Sequence, residues 1–175
     1  GISAIGLGYA GIETYRENRA QHKAIEDDKH NKITNPLYDQ ASTIQKLKTI
    51  QSELDPTYKD YAVQMINQMK SAETLQDDFI EIVENNDLPV IQDIANELQS
   101  IQIRLLQDAK SIYRRLLIAE EVDVIEKKLA DNDKVLKDAN KLITEAINYL
   151  DVKTPSTKVD LKNLIESLQD LMKLI

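Results

Sequence analysis

Cysteine and tryptophan do not occur in this 175-residue chain, phenylalanine occurs once, and all four glycines (Gly1, Gly6, Gly8 and Gly11) fall within the first eleven residues. Without cysteine there is no disulfide framework, no thiolate metal site, no cysteine nucleophile and no lipid-carrying cysteine within the chain. Past Gly11, tight hairpin turns, bulges and phosphate-cradling loops lose the residue they most depend on, which argues against a β-rich or α/β domain. Helices need none of these devices. With only His22 and His30 to titrate near neutrality, the chain is poor material for acid–base catalysis. A net charge of −8 gives little support to a surface dedicated to nucleic acid or anionic lipid, both of which call for clustered lysine and arginine.

Apolar residues amount to 42%, rich in leucine and isoleucine, enough to bury a core rather than remain disordered. Residues 1–12 carry no charge, whereas residues 13–33 carry five acidic and five basic side chains, so the whole excess of acid lies beyond them. The apolar start is shorter than the roughly 20 residues that span a bilayer, but it has the character of the end of a membrane anchor. Residues 13–33 read as a charged helical stalk, since Tyr15, Ala20, Ala24 and Ile25 form no broad apolar stripe. Residues 34–175 read as a helical bundle.

Within that bundle the four prolines, Pro36, Pro56, Pro89 and Pro155, stand next to capping residues and mark helix starts, with Asp55 and Asp87 as caps of the second and third segments. Leu37, Ala41, Ile44, Leu47 and Leu54 recur at helical spacing. Tyr58, Tyr61, Met65, Gln68, Ala72, Leu75, Phe79 and Ile82 alternate by three and four, a near-complete coiled-coil seam. From Pro89 to about Val152 nothing demands a break, and continuous helix there would be about 95 Å long. Its early stripe is Ile91, Ile94, Leu98, Ile101 and Leu105; its later one is Val122, Ile125, Leu129, Asn132, Leu136, Ala139, Ile143, Ala146 and Leu150, with Leu136 a central seam position. Between the two, Asp108 and Arg115 fall out of phase and the stripe shifts through Ala109, Ile112, Leu116 and Ala119, the pattern of a stutter. Asp131-Asn132-Asp133 offers an alternative turn. The last segment opens at Thr157 with Asp160 at capping-box spacing and carries Leu161, Leu164, Ile165, Leu168, Leu171 and Met172 on one face. The expectation is an all-α, elongated antiparallel helical bundle or coiled coil built around one long helix over residues 89–152.

Several chemical patterns fail on inspection. His22, Glu26 and His30 share one face of a polar helix and could touch a metal, but such triples arise readily on charged, solvated surfaces and no buried supporting shell accompanies them. A di-iron bundle needs Glu-x-x-His twice, and only Asp27 and His30 have that spacing. The acidic run at Asp131 has Leu136 where a calcium loop needs glycine. Gly6, Gly8 and Gly11 match a dinucleotide string without the strand that must precede it. The Arg114-Arg115 doublet is too small to neutralise a polyanion. Seven tyrosines read as packing of a slender core whose hydroxyls reach water. No catalytic, cofactor-binding or metal-binding residue is assigned.

In composition, a glycine-rich apolar start, a charged stalk and long glycine-free helices, the chain resembles the extracytoplasmic helical domains of membrane-tethered bacterial proteins. The resemblance implies a non-enzymatic spacer, scaffold or protein-binding module on the outer side of a cell. A protein partner or a second copy would bind along an exposed helical stripe, with residues 1–12 at the membrane. Two alternatives use the same features: a membrane-active, pore-forming helical protein in which residues 1–12 insert, and a cytoplasmic coiled-coil scaffold that dimerises through Val122 to Leu150.

Overall fold

Proline has no amide hydrogen to lose in a first helical turn and its φ is already set for one. In the computed structural model Pro36, Pro56 and Pro89 each open a helix. The structure describes residues 36–84, 86–119, 122–151 and 157–175. These form α1 (Pro36–Gln51), α2 (Pro56–Val83), α3 (Pro89–Ile118), α4 (Val122–Asp151) and α5 (Thr157–Leu174). Among the described residues there is no strand, and the fold is an all-α helical bundle. The apolar start, the charged stalk with His22, Glu26 and His30, and the side chains of Thr157 and Asp160 lie outside the described residues.

The caps differ in detail from expectation. Asp55 does occupy the position before α2, but its side chain makes no capping hydrogen bond; its carbonyl accepts from the Lys59 amide at 2.9 Å. Leu88, not Asp87, precedes α3, and the Leu88 amide donates to Asn86 Oδ1 at 3.0 Å. Here the asparagine one residue earlier does the local turn work that aspartate would do from the capping position.

The single long helix does not form. The chain turns between Ile118 and Val122, and the two halves become α3 and α4. Ala119 takes the left-handed conformation (φ 52°, ψ 41°), and its amide donates back to the carbonyls of Arg115 and Leu116, the usual way to close a helix end. The physical reason is burial. A continuous helix would present two long apolar stripes for short helices to cover, whereas folding back lays the stripe of α3 beside that of α4. The phase shift across Asp108 and Arg115, read as a stutter, is the approach to this corner. Asp131-Asn132-Asp133 stays helical in the middle of α4, with Asn132 facing inward and fully buried.

The polar contacts fix the topology. Tyr61 donates to Glu126 and Gln68 to Asp133, both pairs 65 residues apart, so α2 and α4 run parallel in constant register. Tyr58, at the start of α2, reaches the Ala119 carbonyl at the end of α3, and Gln102 donates to Gln76 at their middles, so α2 and α3 are antiparallel. These three helices, of 28, 30 and 30 residues, make a core unit about 45 Å long. The two short helices each pack on one half of it. Helix α1 lies on α2 and α3, tied by Lys110 to Asp39 and by Gln40 to Glu73, while α5 lies on α4 and α3, with Arg104 donating to the Leu174 carbonyl.

All five early-stripe residues of α3 are buried, as are Ala109, Ile112 and Leu116. On α2 the expected seam is only half the story: Met65, Gln68, Ala72 and Phe79 are buried, and so are Ala62, Ile66, Met69, Gln76 and Val83, because α2 packs against α1, α3 and α4 at once. Leu136, expected at the centre of the seam, is half-buried, and Ile82 is 42% exposed. A left-handed non-glycine residue costs about 1–2 kcal/mol. Ala119→Gly should therefore stabilise the fold by about 0.5–1 kcal/mol after the greater freedom of glycine in the unfolded chain is set against it. Ala119→Val should destabilise it. A shift of the urea midpoint in the opposite order would mean that residue 119 sits in continuous helix.

Candidate functional site

Amide side chains buried between helices must find each other or lose a hydrogen bond to water. At the centre of the α2–α4 contact, Asn132 Nδ2 donates to Gln68 Oε1 at 3.1 Å, and Gln68 Nε2 donates to the Leu129 carbonyl at 2.8 Å and to Asp133 Oδ1 at 2.7 Å. Asn132 Nδ2 also lies 4.0 Å from Met65 Sδ. About two turns further along α2, Gln102 donates to Gln76 and, at 3.5 Å, to the Ala72 carbonyl. Gln99 is buried as well, and its Oε1, like Asn132 Oδ1, accepts nothing. Of these, Gln68 and Asn132 stood on the expected seams. Gln76, Gln99 and Gln102 were missed, because a glutamine in a helix reads as surface unless its angular position on the wheel is followed against two neighbours at once.

The corner between α3 and α4 is held by tyrosines. Tyr58 and Tyr61 meet edge-on with ring centroids 6.3 Å apart; Tyr58 donates to the Ala119 carbonyl at 3.3 Å and Tyr61 to Glu126 Oε1 at 2.6 Å. The hydrogen bond to Glu126, with burial second, pushes the Tyr61 hydroxyl up to about 12. Both hydroxyls stand at the exposed surface, as expected of tyrosines in a slender core, and there they also tie α2 to the next two helices. Asp108, out of phase in the sequence, is met from α4 by Lys128 at 3.4 Å and along its own helix by Arg104 at 4.0 Å. Tyr113, beside the Arg114-Arg115 doublet, lies under Lys46 of α1, 5.9 Å from ring centroid to ammonium, while Arg114 is exposed. Among the described residues no group of three or more histidine, aspartate or glutamate side chains is placed to hold a metal ion, and no helix is long and apolar enough to cross a membrane.

What the described surface offers instead is apolar area on helices. Helix α5 carries two lines of apolar residues. Leu164, Leu168 and Leu171 are buried toward the core, while Ile165 (38% exposed) and Met172 (51%), and Ile175 (43%) just past the helix end, are exposed. With half-buried Leu161, the outer residues are spaced 4, 7 and 3 apart, heptad-compatible positions between which Leu168 is already buried on the core. At the α3–α4 corner Leu117 and Ile118 are also exposed.

Two outcomes check this account of the interior. Removing the amide with Asn132→Ala should cost about 2–4 kcal/mol, from a buried acceptor left on Gln68 plus the cavity, read from the urea midpoint. The double replacement Gln68→Leu with Asn132→Leu should keep stability within about 1.5 kcal/mol while broadening amide resonances of α2 and α4, since two leucines no longer distinguish one register from the next. Half-buried Glu97 has its carboxyl raised by burial and then by the neighbouring Asp93 charge. A raised acid binds protons more readily folded than unfolded, so stability falls as pH rises through the interval between its ordinary and its folded value. Glu97→Gln should thus raise the melting temperature at neutral pH and leave it unchanged in acid where both forms are neutral.

Compared with protein-family models, with curated proteins and with solved structures, the chain finds no match. Its function has to be inferred from the faces its own helices present.

Proposed function

We propose that this chain is a non-enzymatic helical scaffold or protein-binding module, the extracytoplasmic part of a membrane-tethered bacterial protein. The observation that carries the reading is the outer line of α5. Ile165 and Met172 lie exposed seven residues apart on α5, with exposed Ile175 just past its end, while the helix's other line is already buried, so covering them with a second helix, from a partner or another copy, removes apolar area from water without disturbing the core. Tethering is supported by the sequence, where residues 1–12 lack charge and residues 13–33 are densely and evenly charged. Of the spacer, scaffold and binding roles that composition suggests, binding is the one these faces support best.

The test is co-flotation with liposomes of the whole chain and of a version starting at Glu13, paired with light scattering. The whole chain should float and the shorter one should not. If neither floats and both run as dimers, the cytoplasmic coiled-coil scaffold takes the place of this reading; if the whole chain floats and releases a trapped dye, the pore-forming reading does. Ile165→Asp with Met172→Asp, both at exposed positions, should change stability by no more than about 1 kcal/mol. The same pair should abolish any association through α5.

A further inference from the structure

A core of three helices has three grooves, and the described residues outside that core cover parts of two. Helix α1 packs on α2 and α3, and helix α5 on α4 and α3, with 16 and 18 residues respectively. Between the parallel helices α2 and α4 runs a third groove, open to solvent, with a cavity volume of about 640 Å³. Its floor is apolar: Leu75 and Leu136, seam residues that the bundle leaves half-buried, line it from either side. Seven residues beyond Leu75, exposed Ile82 continues the line on α2.

Its rim is basic in an otherwise acidic molecule. Lys70 on α2 and Lys137 on α4 both line the groove, both are exposed, and neither forms an ion pair with a described residue. The carboxylate on the same rim, Asp133, already accepts a hydrogen bond from Gln68 at 2.7 Å. Thr74 and Asn140 add neutral hydrogen-bonding groups between them. Two lysines are too few for a polyanion such as nucleic acid. An apolar floor flanked by exposed cations is the complement of a helix with an apolar stripe and acidic flanks.

We propose that the α2–α4 groove is the docking site for an acidic amphipathic helix of a partner protein, about as long as α1 or α5. The proposal extends the protein-binding reading above and rests on it. The chain's own segments fit less well. Residues 13–33 balance five acids against five bases, and the charges beside the outer line of α5 are already matched, Lys162 with Glu166 and Lys173 with Asp170, at 3.9 Å each.

The experiment uses the whole chain and fluorescence anisotropy with labelled designed peptides of about three heptads, leucine at the two seam positions and glutamate on the flanks. One control peptide carries lysine for the glutamates, and another carries serine for the leucines. The glutamate–leucine peptide should bind, and each control should bind at least about tenfold more weakly. Lys70→Glu with Lys137→Glu, at exposed positions that leave the melting temperature in place, should reverse the preference between the glutamate and lysine peptides. Thr74→Trp, which fills the groove, should abolish binding of both. Equal binding of the two charged peptides, no binding of either, or binding untouched by the charge reversal would overturn the proposal. Binding lost with Ile165→Asp and Met172→Asp but kept with the lysine reversal would overturn the groove while upholding the protein-binding reading through α5. A chain that neither binds these peptides nor associates through α5 overturns both.

Discussion

A buried amide cannot slide along its neighbour without losing its partner, and the rest of this bundle is arranged around that constraint at Asn132 and Gln68. Leucine against leucine is satisfied by many registers, but a fully buried asparagine facing a buried glutamine is satisfied in one. With these two in place α2 and α4 lie parallel at a constant offset, and α3, joined to both by tight corners, has to run the other way between them. Gln102 with Gln76 repeats the constraint on the antiparallel contact. The positions of α1 and α5 then follow from which grooves α3 shares.

Much of the architecture could be read from the chain before its fold. The prolines name the starts of three helices, the absence of glycine after Gly11 argues against a sheet, and the stripe residues of α3 lie where their spacing puts them. What misled is the same absence of glycine. It leaves residues 89–152 with no evident turn, yet Ala119 turns the chain at φ 52°, and Glu84 takes φ 44° at the end of α2. Positive φ favours glycine without requiring it, and the burial gained by folding α4 back onto α3 outweighs a local cost of about 1–2 kcal/mol. The one-dimensional pattern also could not say that Leu136 sits at the lip of a groove, because heptad spacing gives a residue's direction but not whether a third helix arrives to cover it.

The surfaces were legible to different degrees. The apolar positions of α5 were visible as one face, and the fold divides that face into an inner line, buried on the core, and an outer line left to solvent. The groove between α2 and α4 was not visible, since Lys70 and Lys137 are 67 positions apart in the chain and meet only because the two amides align their helices. Charge that looks evenly scattered along an acidic sequence becomes a local patch of the opposite sign once two helices are placed side by side.

Helix α1 begins beside Lys110 of α3, and helix α5 ends beside Arg104 of the same helix. Those two points are separated by about 9 Å along the axis of α3. Chain entering at α1 and leaving at α5 therefore does so at nearly the same height, on a body about 45 Å tall. Tension applied between those two points acts across the bundle, peeling α1 and α5 from the three-helix core before it loads the core lengthwise. Mechanically, load applied at those two points falls on the packing of α1 and α5 and not along the length of the three core helices.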